Sequence, residues 1–315
     1  MGNKQATSSA PARCHFDRLL IAYLLLTFTV SFVGSYFGPL YLLMALMHLV
    51  LVYLVLRLSA MDPAKPYIAV VRWLYPLLFL APLHYEIDFL AWLFHGGEYY
   101  DHLVLAAEGW LFGGPPHKYL ADLLHGPFWR ELFHLLYLGS YPLLAGGLIL
   151  AWWRDKVWTG PGVTPDYPRY AFILLGGFLS YLIIFILFPV EGPVDDRFLR
   201  FHEQGLIGPL IDYLNRAGHS RGGALPSFQV GGLVISYLLW RPRKPAVRYG
   251  LIALILAVTI STIYGAFHYA LDAVAGLITG VLFYLLWDRL YRRLKPEQWN
   301  ADKAGGFPAP EPQRS

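Results

Sequence analysis

Eight stretches of this 315-residue chain are apolar for long enough to cross a bilayer, and that succession decides its class before any single residue is weighed. They fall at 18–34, 38–58, 67–94, 128–153, 168–190, 225–241, 248–266 and 268–290, separated by proline, glycine and charge. A helix needs about 20 apolar residues to cover a hydrocarbon core. Lipid offers the backbone no hydrogen-bond partners, so each span must satisfy its own N–H and C=O groups as an α-helix. Composition agrees, since 56% of the residues are hydrophobic and 15% charged, far from the balance of a soluble domain. The expected fold is an all-α, polytopic membrane bundle of about eight spans. Its last two are divided only by "YGAFH", short enough for a tight turn at the membrane surface.

Lysine and arginine then set the orientation. Lys4, Arg13 and Arg18 precede the first span, and Arg57, Lys65 and Arg72 lie between the second and third. Arg154, Lys156 and Arg169 follow the fourth, "RPRKPAVR" (241–248) the sixth and "RLYRRLK" (289–295) the eighth. Both termini are therefore expected in the cytoplasm, with 95–126 and 191–224 on the other side. Within the first of these, residues 101–125 repeat apolar side chains at helical spacing but are broken by "GGPP", which predicts two short helices at the outer interface. Residues 1–16 and 295–315 read as disordered polar tails around a membrane domain at 17–294. The first apolar run lacks a small-residue cleavage site and reads as a retained span. Cys14, the single cysteine, excludes a disulfide framework and a thiolate metal cluster. Basic residues sit at span ends rather than on one face, which excludes a nucleic-acid partner.

The stretch "GAFHYALDAVAG" (265–276) places His268 and Asp272 four residues apart in an apolar run. On a helix the two share a face. The carboxylate would accept the imidazole N–H, fix the tautomer and favour the imidazolium that forms as the other nitrogen attacks, which makes histidine a nucleophile. The plain alternative is a histidine satisfied by a neighbouring carbonyl and an aspartate capping a turn. Ionisable residues at membrane depth favour function. In "SRGGALPSFQVGG" (220–232), Pro226 and Ser227 suggest a helix N-terminus, where free N–H groups suit a phosphate. Gly222 and Gly223 would let the backbone approach it, and Arg221 would add a bidentate contact. The third span carries "HYEID", whose His84, Glu86 and Asp88 either line a lipid cavity or bond between helices. Glu131 and His134 have an E-x-x-H spacing that ligates iron when a second copy is present. The chain has no second copy, so neither a metal nor another cofactor is expected.

The order "ALPSFQV", about 40 residues, then "FHYALDAVAG" resembles the second and third signature motifs of the type-2 phosphatidic acid phosphatase superfamily, P-S-x-H followed by H-x-x-x-D-x-x-x-G. Pro226 and Ser227 match the former, and His268, Asp272 and Gly276 the latter. The inositol phosphorylceramide synthase branch is the most similar. "FPVEGPVDDRF" (188–198) stands where that branch has a Pro-rich loop, and residues 100–137 resemble its interfacial segment. The resemblance implies a metal-independent membrane enzyme acting on a lipid phosphate at the outer face. It implies that His268 attacks phosphorus to form a phosphohistidine, that Asp272 orients it and that Ser227 contacts the phosphate.

Departures from the pattern shape these expectations. The superfamily's first motif is missing and Thr262 replaces an arginine six residues before the nucleophile, which leaves Arg197, Arg200 and Arg221 as candidates for the phosphate clamp. Gln229 occupies the place of the general-acid histidine. It can contact a phosphate but cannot deliver a proton. An alkoxide leaves with a conjugate-acid pKa on the order of 15, like water, so losing the acid should cost roughly 10²–10⁴ in rate. A phosphate leaving group, with a second pKa near about 6, needs little protonation. A lipid diphosphate, such as a polyprenyl diphosphate, is the substrate this favours. His202 or His219 could instead supply the proton. Two further readings stay open, an inositol phosphorylceramide synthase-like head-group phosphotransferase and a catalytically silent lipid-phosphate binder or transporter.

Overall fold

The structure, a computed structural model, describes residues 14–61, 66–157, 167–201, 205–218, 220–240 and 244–294. Among them the regular structure is α-helical, joined by turns and short loops, with one isolated bridge between Val190 and Gly223. The helices are α1 (His15–Gly34), α2 (Pro39–Ser59), α3 (Pro66–Tyr85), α4 (Ile87–His95), α5 (Asp101–Phe112), α6 (Pro116–Leu123) and α7 (Pro127–Val157), followed by α8 (Tyr167–Leu187), α9 (Val194–Phe201), α10 (Ile207–Gly218), α11 (Phe228–Trp240), α12 (Pro245–Tyr264) and α13 (Ala270–Leu294). Of the tails expected at 1–16 and 295–315, residues 1–13 and 295–315 lie outside the described residues, and α1 takes in His15 and Phe16.

Seven helical segments are long and apolar enough to cross a membrane: α1, α2, α3 with α4, α7, α8, α12 and α13. The sixth expected span, 225–241, holds among the described residues only the 13-residue α11, which at 1.5 Å per residue is about 20 Å long, shorter than a hydrocarbon core. Its first expected residues are not helical, because the Ser227 N–H is drawn to the Asp272 carbonyl at 2.9 Å. The third span is two helices that change over at Glu86. The Glu86 carboxylate accepts from the Tyr23 hydroxyl (3.1 Å) and meets His48 Nε2 (2.7 Å), which ties α4 to α1 and α2.

Helix α8 is apolar on all sides and correspondingly buried, as a central helix must be; α1, α4, α7, α11 and α13 pack around it. Helices α11 and α13 approach through glycine. A Cβ on Gly276 would lie 2.6 Å from the Ser227 carbonyl oxygen, and one on Gly280 would lie 2.7 Å from that of Gly231. Small residues four apart therefore let the two backbones meet, which joins the head of α11 to the head of α13.

At one end of the bundle, ion pairs bind helices together. Arg72 meets Asp17 at 2.7 Å, the Tyr75 hydroxyl donates to the same carboxylate, and Arg169 meets Asp288 at 2.7 Å. The opposite end carries α5, α6, α9 and α10. The two short helices expected in 101–125 are α5 and α6, broken at Gly113 with φ 76°. Residues 191–224, expected on the non-cytoplasmic side, contain α9 and α10, whose Ile211 side chain is buried.

Candidate active site

His268 lies in the turn between α12 and α13 rather than on a helix, which corrects the expected shared face. Helix α12 ends at Tyr264, Ala266 takes a left-handed φ of 52°, and the Phe267 and His268 N–H groups both donate to the Thr262 carbonyl (3.0 and 3.1 Å). Asp272 is in the first turn of α13, and its Oδ2 accepts the Tyr269 N–H at 2.8 Å, as a residue at the third helical position does when it caps a helix from within. That cap carries the carboxylate to 3.6 Å from His268 Nδ1. This is an electrostatic contact longer than a hydrogen bond. Both residues are buried. From α5, Glu108 Oε1 accepts the Leu271 N–H at 3.1 Å, so two carboxylates hold the head of α13, where the helix dipole favours negative charge. Burial raises the Glu108 pKa above its ordinary value, against the pull of the N–H groups of Leu271 and Ala270.

The other imidazole nitrogen, Nε2, lies 3.0 Å from Gln229 Oε1, and Gln229 Nε2 donates to the Tyr141 hydroxyl at 3.1 Å. Tyr141 and Tyr137 hydroxyls are 2.9 Å apart, and Ser227 Oγ donates to Gln229 Oε1 at 3.4 Å. A carboxylate can only accept, so a neutral His268 keeps its proton on Nδ1 beside Asp272 and presents a lone pair at Nε2. Half a turn of the Gln229 amide leaves its shape unchanged. It would then donate to Nε2 and accept from Tyr141, so that every group in the chain is matched.

His268 and Gln229 open on a cavity of about 660 Å³, within the range that holds small ligands. One side is apolar and comes from α7 and α10, with Leu135, Leu138, Pro142, Ile211 and Leu214; Tyr137, Tyr141 and Phe267 add aromatic surface. The polar side carries His84, Glu191, Ser220, Gln229 and His268. Such a division suits a lipid whose polar head lies at the imidazole and whose chain runs between α7 and α10.

The other expected site residues are placed as follows. Ser227 is fully buried behind Gln229, with its N–H committed to Asp272. The N–H groups of Arg221 and Gly222 (2.9 Å each) and the Ser220 hydroxyl (3.0 Å) donate to the Asp88 carboxylate, so Asp88 holds the donors expected for a phosphate. The Arg221 side chain is exposed, pairs with Glu191 at 2.7 Å and crosses the Tyr99 ring. The hydrogen bond that it donates to Glu191 raises its pKa. Arg197 backs the cavity wall. It stacks on Phe267 at 4.0 Å, meets Asp212 at 2.5 Å and donates to the Gly265 carbonyl at 3.0 Å; burial lowers its pKa although Asp212 opposes this. Arg200 pairs with Asp122 at 2.7 Å beside a separate cavity of about 210 Å³. His202 and His219 lie outside the described residues.

Glu131 accepts the N–H groups of Leu206 and Ile207 (3.1 and 3.0 Å), whereas His134 packs edge-on against Phe201 and lies 3.4 Å from Arg197. The E-x-x-H pair thus serves separate partners. The three polar residues of "HYEID" also divide: His84 faces the cavity, Glu86 bonds between helices and Asp88 holds the 220–222 turn. Their only signal in sequence was ionisable chemistry within an apolar run.

A family model described as "PAP2 superfamily" matches residues 102–286, from α5 into α13, with both halves of the His268–Gln229 site inside it. No curated protein matches the chain, and no solved structure does. The match covers more than half of the sequence and includes the buried His268–Asp272 pair, and on that ground the chain belongs to the PAP2 superfamily.

Proposed function

We propose that the protein is an integral-membrane phosphatase or phosphotransferase in which Nε2 of His268 attacks the phosphorus of a lipid phosphate or diphosphate. One observation carries the reading: an imidazole with Asp272 at 3.6 Å behind Nδ1 and an apolar-walled cavity of about 660 Å³ in front of Nε2. In the first step an N–P bond forms and the P–O bond to the leaving group breaks, while Asp272 stabilises the charge that develops on the ring. Water then cleaves the N–P bond and releases phosphate. An alcohol uses the same intermediate, so transfer to a second head group, as in inositol phosphorylceramide synthase-like chemistry, belongs to this reading. Gln229 favours a diphosphate substrate, whose leaving phosphate departs without a proton. The site lies at the end of the bundle away from the arginine-rich helix ends, which supports an active site on the non-cytoplasmic face.

The test is phosphate release by the purified protein in detergent with EDTA, from a polyprenyl diphosphate and from phosphatidate. Release is expected to be faster from the diphosphate and to vanish in His268→Ala. Equal release by wild type and His268→Ala would remove the nucleophile assignment. Lack of turnover with either lipid, with or without an alcohol acceptor, would favour a lipid-phosphate binder.

A further inference from the structure

Gln229 is unable to act as the acid for two reasons. It has no ionisable proton, and it touches the nucleophile itself, 3.0 Å from His268 Nε2. In an in-line displacement the leaving oxygen departs from the side of phosphorus opposite the attacking atom. An acid must therefore reach the phosphate from another wall of the cavity.

Among the described residues that line the cavity, His84 is the one histidine besides His268. It projects from the last turn of α3, which packs on α2, α4, α7 and α8, whereas Gln229 and His268 come from α11 and the α12–α13 turn. Its ring is seated by two neighbours. Phe185 meets it edge-on at 6.5 Å, and a Cβ on Gly223 would come within 3.1 Å of its Cε1. Asp88, four residues after His84, grips the 220–222 turn and so keeps Gly223 beside the imidazole. His84 also precedes residue 102, where the family match begins.

From this placement we propose that His84 is the general acid of the site, in place of the histidine that Gln229 replaces. The proposal rests on the phosphohistidine reading above and extends its substrate class to phosphate monoesters. As the His268 N–P bond forms and the P–O bond breaks, the His84 imidazolium gives its proton to the departing alkoxide, which leaves as the alcohol. Water then cleaves the N–P bond and phosphate is released, while neutral His84 recovers its proton from solvent, so both histidines return to their starting states. Histidine suits the donor's role because its ordinary pKa lies close to neutrality.

The experiment compares one sample of each variant on two substrates, phosphatidate with its alkoxide leaving group and a polyprenyl diphosphate with its phosphate leaving group. His84→Gln and His84→Asn are expected to lose phosphatidate turnover by about 10²–10⁴ and to lose much less with the diphosphate, while a Tm close to wild type reports that the protein is folded. Tyr141→Phe is expected to affect both substrates alike. Equal loss of both substrates in both His84 variants, or loss of neither, would overturn the assignment. So would a phosphatidate-selective loss in Tyr141→Phe or His219→Gln while the His84 variants stay active. Absence of phosphatidate turnover in the wild type would overturn it while the diphosphate reading stands. Persistent turnover in His268→Ala would instead remove the underlying phosphohistidine.

Discussion

At the residue scale, His268 and Asp272 lie 3.6 Å apart without sharing a helix face. Four residues apart suggested one helix face, but His268 lies in a turn and Asp272 reaches it from the first helical turn while capping the Tyr269 N–H. Spacing revealed the contact; the geometry required the position of the helix start, which an apolar run conceals. Asp272→Asn retains a cap acceptor and removes the charge behind Nδ1. It is expected to lower kcat by about 10²–10⁴, as loss of the orienting carboxylate does in other histidine-based sites, with Tm close to wild type. Unchanged kcat would contradict an orienting role. Two of the candidate clamp arginines, Arg197 and Arg221, differ in what their removal costs. Arg197→Ala removes a buried guanidinium that pairs with the half-buried Asp212 and is expected to cost about 3–5 kcal/mol of stability, read as a lower Tm together with lost activity. Arg221→Ala removes an exposed pair worth about 0–1 kcal/mol and is expected to leave Tm nearly unchanged.

At the scale of elements, hydropathy read the long helices well because lipid imposes both their length and their backbone bonding. It extended α11 too far, since "ALP" continues the apolar pattern although the Ser227 N–H bonds to the Asp272 carbonyl and the helix begins at Phe228. It also left α9 and α10 as loop, because charge and Pro209 mask the apolar side chains that α10 turns to α7. The α11–α13 contact gives a direct test. Gly276→Ala would push a methyl group to within 2.6 Å of a backbone oxygen, so overpacking of about 1–3 kcal/mol is expected, seen as a lower Tm with reduced turnover. Glu108 gives a pH test. Its folded-state pKa is raised by burial, so the stability it contributes is complete below its ordinary value of 4.5 and is lost as pH rises through the folded-state value. Glu108→Gln keeps the acceptor for Leu271 without the charge. The variant's Tm, relative to wild type, is therefore expected to rise with pH across that window; a constant difference would contradict the assignment.

For the whole molecule, sequence made the membrane class, the short helices α5 and α6 and the order of the motifs legible. Residues brought into the cavity from outside those motifs were not. His84 and Asp88 act across more than 130 positions of sequence, and only packing of α3 and α4 against the later helices reveals it. The two-ended bundle predicts opposite exposure of its ends. In Cys14→Ser protein, a membrane-impermeant thiol reagent applied to intact cells is expected to label Trp110→Cys, beside the site, and to spare Tyr249→Cys near the start of α12; the reverse pattern would place the site in the cytoplasm. The central claim, that His268 carries the phosphoryl group, is tested most directly by quenching the enzyme during turnover of a substrate labelled at the phosphoryl group that is transferred. The account predicts an acid-labile, base-stable label on His268 that is absent in His268→Ala. Turnover without any label on His268, or persisting in His268→Ala, would contradict it.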